Sequence, residues 1–400
     1  MKPFFVNPEQ AARAATHGIV PRRPLAAEKP CVGCPEKIVA GSSVAVPPVA
    51  APVPLPGGPK RVGIVSPSWT VGGVERWFLS LCRLATGVRF VGAAVTELPG
   101  SALIDPAIVA ETEQFCPVLY GPDGIAELLR TSDTVIVWGT DWNPSYDEFR
   151  ARGGRLVFVS HGMGEWTRNK VNSWLPNADL FAAVSGMALT PYPDDFRGRV
   201  QVIHNGIEFD RIVPTRPRAA IREAWGLAPD TLAVGYCGRF SPEKNPTASA
   251  VAVSKLPYAT AVYQCPPLSR PRAVASVSEI VPGRCVFPDG PVSDFYAGVD
   301  VLVAASEQEG FALAITEAWA AGVPVVATNV GAIDEMEAIH GQLVVRVDHG
   351  AAPWDLAVAV QTAVSKGHRP MIDRAKSLGW SHFSAGRMAR EWGELFAQSA

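Results

Sequence analysis

What the 400-residue chain lacks sets its first limits. No stretch approaches the ~18 uninterrupted apolar residues of a membrane-crossing helix, and the opening MKPFFVNPEQ turns polar too soon for the apolar core of a secretory signal. Charge of one sign is missing too. Thirty-six Lys and Arg against 38 Asp and Glu leave a formal charge of −2, so no global field draws nucleic acid or an anionic membrane surface to the chain. Between residues 60 and 210 acids outnumber bases, which argues against a basic funnel there. Cysteine is sparse and unpatterned: seven residues form no repeating framework, which fits a reducing cytoplasm, the expected localisation, better than a disulfide scaffold. Apolar bulk is plentiful, at 48% of residues, enough for two to three units that each bury a core.

Residues 1–59 stand apart from the rest. Residues 43–59 (SVAVPPVAAPVPLPGGP) are a Pro/Ala/Val run that cannot form a regular helix and reads as a semi-extended tether. Ahead of it, Cys31 and Cys34 are separated by two residues, a spacing that lets two thiolates meet one Zn²⁺. With only the distant His17 nearby in sequence, the pair falls short of four ligands, and an unliganded pair in a tail is the competing reading.

From Lys60 onward, short β-branched runs alternate with helical periodicity, predicting a doubly wound parallel sheet. Strands are expected at 61–67, 134–138, 156–160, 180–184 and 200–203, then at 232–237 and 301–303. Gly72 and Gly73 follow the first strand and precede a helix on which Val74, Trp77, Phe78 and Leu81 share a face. With no side chain, such a turn lets backbone approach a diphosphate. His161 comes at the carboxyl end of its strand, the side on which ligands collect in open α/β sheets. Asn205 and Gly206 suit a tight turn at a domain junction. In GRFSPEKN, Arg239 and Lys244 lie five apart across a turn shaped by Pro242. In EGFALAITEAWAAGVP, Glu309 precedes a helix expected over 311–321, ended by Gly322 and Pro324. The helix start opens beside Glu309, and its free N–H groups and dipole suit phosphate or sugar hydroxyls; Glu317, two turns on, can hold a diol such as a ribose.

Four segments in order, GGVER at 72–76, VIHNGIEFD at 202–210, LAVGYCGRFSPEKN at 232–245 and EGFALAITEAWAAGVPVVATNVG at 309–331, resemble the retaining glycosyltransferases of family four (glycosyl transferases group 1). That resemblance implies the GT-B fold, two Rossmann-like domains facing a cleft, here an acceptor-side domain at 60–210 and a nucleotide-sugar domain at 211–382. A C-terminal helix at 383–400 would cross back to the first domain, and residues 1–59 form an extension. The implied activity is transfer of a sugar from a nucleoside diphosphate, with uridine diphosphate expected, to a hydroxyl on a glycan, lipid-linked or small-molecule acceptor. In that reading His161, Arg239, Lys244 and Glu309 are the catalytic set; Gly72, Gly73, Gly310, Phe311, Ala312 and Glu317 join Arg239 and Lys244 in holding the donor. The two cations would neutralise the departing diphosphate in place of a metal. The chain has no Asp-x-Asp, the usual device for Mg²⁺ or Mn²⁺ delivery in the other main glycosyltransferase fold, so no active-site metal and no cofactor beyond the donor co-substrate are expected. Ala312 and Ala332 stand where the family often has Gly. Three alternatives remain open: a transferase acting on modified DNA bases, a sugar-nucleotide epimerase, and a non-catalytic nucleotide-sugar binder.

Overall fold

The computed structural model describes residues 59–398; Cys31, Cys34, His17 and the Pro/Ala/Val run up to residue 58 lie outside them. Two parallel sheets organise the chain. The first has the order β3-β2-β1-β4-β5-β6-β7, with β1 Lys60–Ser66, β2 Val88–Val95, β3 Val118–Tyr120, β4 Thr134–Val137, β5 Arg155–Ser160, β6 Leu180–Ala183 and β7 Gln201–Val202. The second has the order β10-β9-β8-β11-β12-β13, with β8 Leu232–Cys237, β9 Ala259–Gln264, β10 Cys285–Val286, β11 Val301–Ala304, β12 Val325–Ala327 and β13 Val345–Arg346. Strands such as β4 and β5 are apolar on both faces because helices cover both sides, the pattern of a buried parallel sheet.

The strand order fixes where a ligand can sit. In the first sheet the winding reverses between β1 and β4, and in the second between β8 and β11. Loops leaving the carboxyl ends of strands flanking such a reversal diverge and open a crevice. Gly72 and Gly73 follow β1, Trp138 follows β4, Arg239 and Lys244 follow β8, and Glu309 follows β11.

Six strands were not expected from sequence: β2 and β3 in the first sheet and β9, β10, β12 and β13 in the second. Strand β2 carries Gly92, Ala93 and Ala94, poor strand formers. They are tolerated because Leu128 needs the room: a methyl group added at Gly63 or Gly92 would lie 2.6 or 2.8 Å from its Cδ1. Strand β3 has three residues between Pro117 and Gly121, too few for a periodic signal.

Across the second sheet, neighbouring residues alternate between two cores. Ala233, Val262 and Leu302 face an apolar core continuous with that of the first sheet, whereas Val234, Ala261 and Val301 face a separate one. The junction of the two halves is backbone-tight. Ile207 N–H donates to the Phe383 carbonyl (2.8 Å) and Ala385 N–H to the Ile207 carbonyl (2.9 Å). Asn205 and Gly206 do not form the expected tight turn, and Gly206 is not in the left-handed conformation. It is required by close approach, since a methyl group there would lie 2.5 Å from Ala385 Cα. Beyond the junction the Ala385–Ala397 helix, N-capped by Ser384, packs on the Gly73–Leu84 helix through Trp392 and Trp77, whose rings are 5.0 Å apart.

Candidate active site

A cleft of about 1400 Å³ lies between the two sheets, lined by all ten residues that the sequence singles out, from Gly72 and Gly73 through His161, Arg239 and Lys244 to Glu309, Gly310, Phe311, Ala312 and Glu317. The second half supplies an ion pair at its centre. Lys244 stands at the end of a short 3₁₀ turn that Pro242 opens and Asn245 closes in the left-handed conformation, φ 43°. Its ammonium is ion-paired with one oxygen of Glu309, and the other oxygen of Glu309 accepts a hydrogen bond from Ser306 Oγ at 3.0 Å. Arg239 is looser: its guanidinium is half exposed and 3.9 Å from Glu243. One cation is thus clamped and the other held only by a long ion pair at a half-exposed position.

The helix beyond Glu309 begins two residues later than the sequence suggests, at Leu313, because Ala312 takes the left-handed conformation at φ 66°, ψ 65°. Propensity cannot foresee this, since an alanine there is strained. No side chain caps this helix, so its first turn presents backbone N–H groups at a cleft wall. Glu317 is buried on the same helix; one oxygen accepts from the Tyr296 hydroxyl at 2.9 Å and the other is 3.9 Å from the Arg211 guanidinium.

The first half meets this surface at contact distance. Gly310 lies so close to β5 that a methyl group there would be 2.0 Å from the His161 carbonyl oxygen. The Gly310 carbonyl accepts a hydrogen bond from Ser185 of the first domain. His161 packs edge-on against Trp77 at 4.6 Å, and its buried Nε2 has no hydrogen-bond partner. Burial pushes its imidazole down to about 3, so it is neutral near pH 7 and offers a hydrogen bond, not a charge.

Gly72 and Gly73 line the cleft, with the chain's own groups on their Cβ side: a methyl group at Gly72 would lie 2.7 Å from Glu75 Oε2, and one at Gly73 would be 3.4 Å from Leu313 Cδ1. Glu75 leaves no signal in sequence, because an acid in a first helical turn reads as an ordinary dipole partner. It is buried at 3% exposure, with Oε1 accepting from Thr70 N–H at 3.1 Å. Burial raises its carboxyl to about 7 against the opposing pull of its backbone donors, Arg239 and Arg76. Trp138, Trp166 and Arg211 also line the cleft unforeseen. Among the described residues no group of three or more His, Cys, Asp or Glu is arranged to hold a metal ion. No described helix is long and apolar enough to cross a membrane.

Comparison with known proteins matches this arrangement. Residues 231–366 match the family described as Glycosyl transferases group 1. A D-inositol 3-phosphate glycosyltransferase 2 of Catenulispora acidiphila is 30% identical over 216 residues, 47% of this chain and 49% of that protein. The D-inositol 3-phosphate glycosyltransferase of Streptomyces avermitilis is 31% identical over 155 residues, 34% of this chain and 33% of that one. The chain thus spans at most about half the length of these curated relatives. Among solved structures, Anabaena Alr3699/HepE in complex with UDP and glucose superposes with a TM-score of 0.70 over 85% of this chain and 100% of that one, at 18% identity. WaaG, a glycosyltransferase involved in lipopolysaccharide biosynthesis, superposes at 0.61 over 84% of this chain and 100% of its own, at 15% identity. Two parallel-sheet Rossmann-like domains closing on one cleft, with these neighbours in shape, make this a GT-B fold whose second domain carries the group 1 glycosyl transferase match.

Proposed function

We propose that the protein is a retaining glycosyltransferase of family four, moving a sugar from a nucleoside diphosphate, with uridine diphosphate expected, to an acceptor hydroxyl in the interdomain cleft. The observation that carries this reading is the Lys244–Glu309 pair beside an uncapped helix start, with Arg239 loosely held in the same cleft. A diphosphate entering there meets a clamped ammonium, a loosely held guanidinium and first-turn N–H groups, all suited to the negative charge that grows as the leaving group departs. The acceptor oxygen bonds to the anomeric carbon as the bond from that carbon to the β-phosphate oxygen breaks. The diphosphate leaves with the electron pair and takes up the hydroxyl proton, on the same face of the sugar.

Each remaining group then has a positioning role. Glu309, fixed by Lys244 and Ser306, accepts hydrogen bonds from sugar hydroxyls, with the amides of Gly310 and Phe311 alongside. His161, neutral and at the cleft wall, hydrogen-bonds the donor sugar near its anomeric carbon. Glu317, oriented by Tyr296, holds the ribose diol with its second oxygen. Gly72 and Gly73 bring backbone to the donor from the opposite wall of the cleft, and Gly73 packs near Leu313 across it. The UDP in the Anabaena protein supports the choice of nucleotide. A thermal-shift panel of nucleotide sugars tests the donor site: UDP-sugars should raise Tm in the wild type, and much less in Lys244→Ala. An unchanged Tm with every nucleotide sugar would contradict the proposal.

A further inference from the structure

The acceptor half of the cleft has a chemistry of its own. Eleven tryptophans are present in the chain, but only Trp166 and Trp354 are counted among the exposed large hydrophobics, and Trp166, at 53% exposure, is the one lining the cleft. It stands in the first turn of the Gly164–Trp174 helix and lies over the carboxyl ends of β1 and β4, where the first sheet's winding reverses. A methyl group on Gly139 would be 3.0 Å from its Cη2 and 2.9 Å from Pro67 Cγ. Trp138 sits beside it with rings 6.1 Å apart, and Trp138 in turn meets His161 at 6.2 Å. An aromatic wall therefore runs from solvent to the residue assigned beside the anomeric carbon.

The charges around that wall are already committed. In the first-domain part of the lining the cations are Arg76 and Arg83. Arg76 is held by Glu111 at 2.7 Å; Arg83 is held by Glu111 at 2.6 Å and by Glu208 at 2.9 Å. Lys170, 5.7 Å from the Trp166 ring centre, is bound by Asp141 at 2.7 Å. Glu75 lines the same half. A phosphate entering here would find no uncommitted cation and four carboxyl groups, whereas a pyranose has an apolar C–H face for an indole and hydroxyls for a polar rim such as Gln308 and Thr167.

We propose that this half binds an uncharged saccharide as acceptor, its ring stacked on Trp166 and Trp138, in place of a phosphorylated polyol. The assignment rests on the transferase reading above and names its acceptor class. The curated relatives carry inositol phosphate in their names, so the two acceptor types are directly opposed.

The test uses the full chain with UDP-glucose and UDP-N-acetylglucosamine as donors. Maltose, cellobiose and lactose are compared as acceptors with D-inositol 3-phosphate and glucose 6-phosphate, and saturation-transfer NMR reads disaccharide binding to the UDP-loaded protein. The expected result is a saccharide signal and preferred use of a neutral acceptor. Trp166→Ala should raise that acceptor's KM about tenfold with kcat little changed, Trp166→Phe should restore most of it, and Trp354→Ala should leave it alone. Preferred use of a phosphorylated acceptor, no saccharide signal at millimolar concentration, or an unchanged KM in Trp166→Ala would each overturn the assignment. UDP binding, read separately by thermal shift, keeps the two failures apart: its loss counts against the donor site itself, its presence beside any of those results against the acceptor class alone.

Discussion

Replacing Glu75 by Gln tests whether the cleft buries this carboxyl as tightly as the geometry implies. Its ordinary value of 4.5 rises to about 7. Between those limits the folded protein keeps a proton that the unfolded chain has lost, so the stability tied to Glu75 is fully present below pH 4.5 and is lost as pH rises through 7. At 1.36 kcal/mol per unit the change amounts to about 3 kcal/mol, or roughly 6–12 °C in the transition that unfolds the first domain. Gln keeps the oxygen that accepts from Thr70 N–H and cannot ionise. The variant should therefore gain on the wild type steadily between pH 4.5 and 7, then hold its advantage. His161 acts with the opposite sign: lowered to about 3 by burial, it favours the fold above its ordinary 6.5 and withdraws that support as pH falls toward 3. The two slopes oppose each other between pH 4.5 and 6.5, so the wild-type curve alone is uninformative and the difference between proteins is what isolates Glu75. Thermal or urea unfolding of both from pH 4 to 8 supplies it. A difference that does not vary with pH would refute the reasoning.

Two further substitutions probe how the halves meet. Gly310→Ala places a methyl 2.0 Å from the His161 carbonyl oxygen and strains the Ser185 hydrogen bond, so it should cost about 1–3 kcal/mol by calorimetry and lower kcat/KM as the cleft opens. Ala312→Gly relieves a left-handed alanine at φ 66°, worth about 1–2 kcal/mol against about 0.5–1 for the added chain entropy, and should stabilise the protein by several tenths of a kcal/mol in urea melts.

The parts that sequence revealed share a physical cause. Strands β1, β4, β5 and β8 are short apolar runs with Gly, Pro or Ser at or just beyond their ends, and their loops carry the polar residues that a parallel sheet delivers to one edge. The cleft residues from His161 to Glu317 were visible for that reason, and because their segments resemble a known pattern. What escaped depends on contacts remote in sequence. Strand β2 is a strand because Leu128 fills the space over its glycine. Gly206 is a glycine because the chain returns beside it at Ala385. His161 is neutral because Trp77 and its surroundings exclude water, and Trp166 faces the cleft where the ends of β1 and β4 meet beneath a helix start. None of these leaves a local periodicity.

The central claim is sugar transfer from a nucleoside diphosphate across this cleft. Proton NMR of the wild type with a UDP-sugar and an acceptor should show UDP released in step with a new glycosidic linkage that keeps the donor's anomeric configuration. Lys244→Ala and Glu309→Ala, each still folded by circular dichroism, should lower that rate about 10²–10³-fold. An inverted linkage, a new nucleotide sugar without transfer, or wild-type rates in either variant would contradict the account.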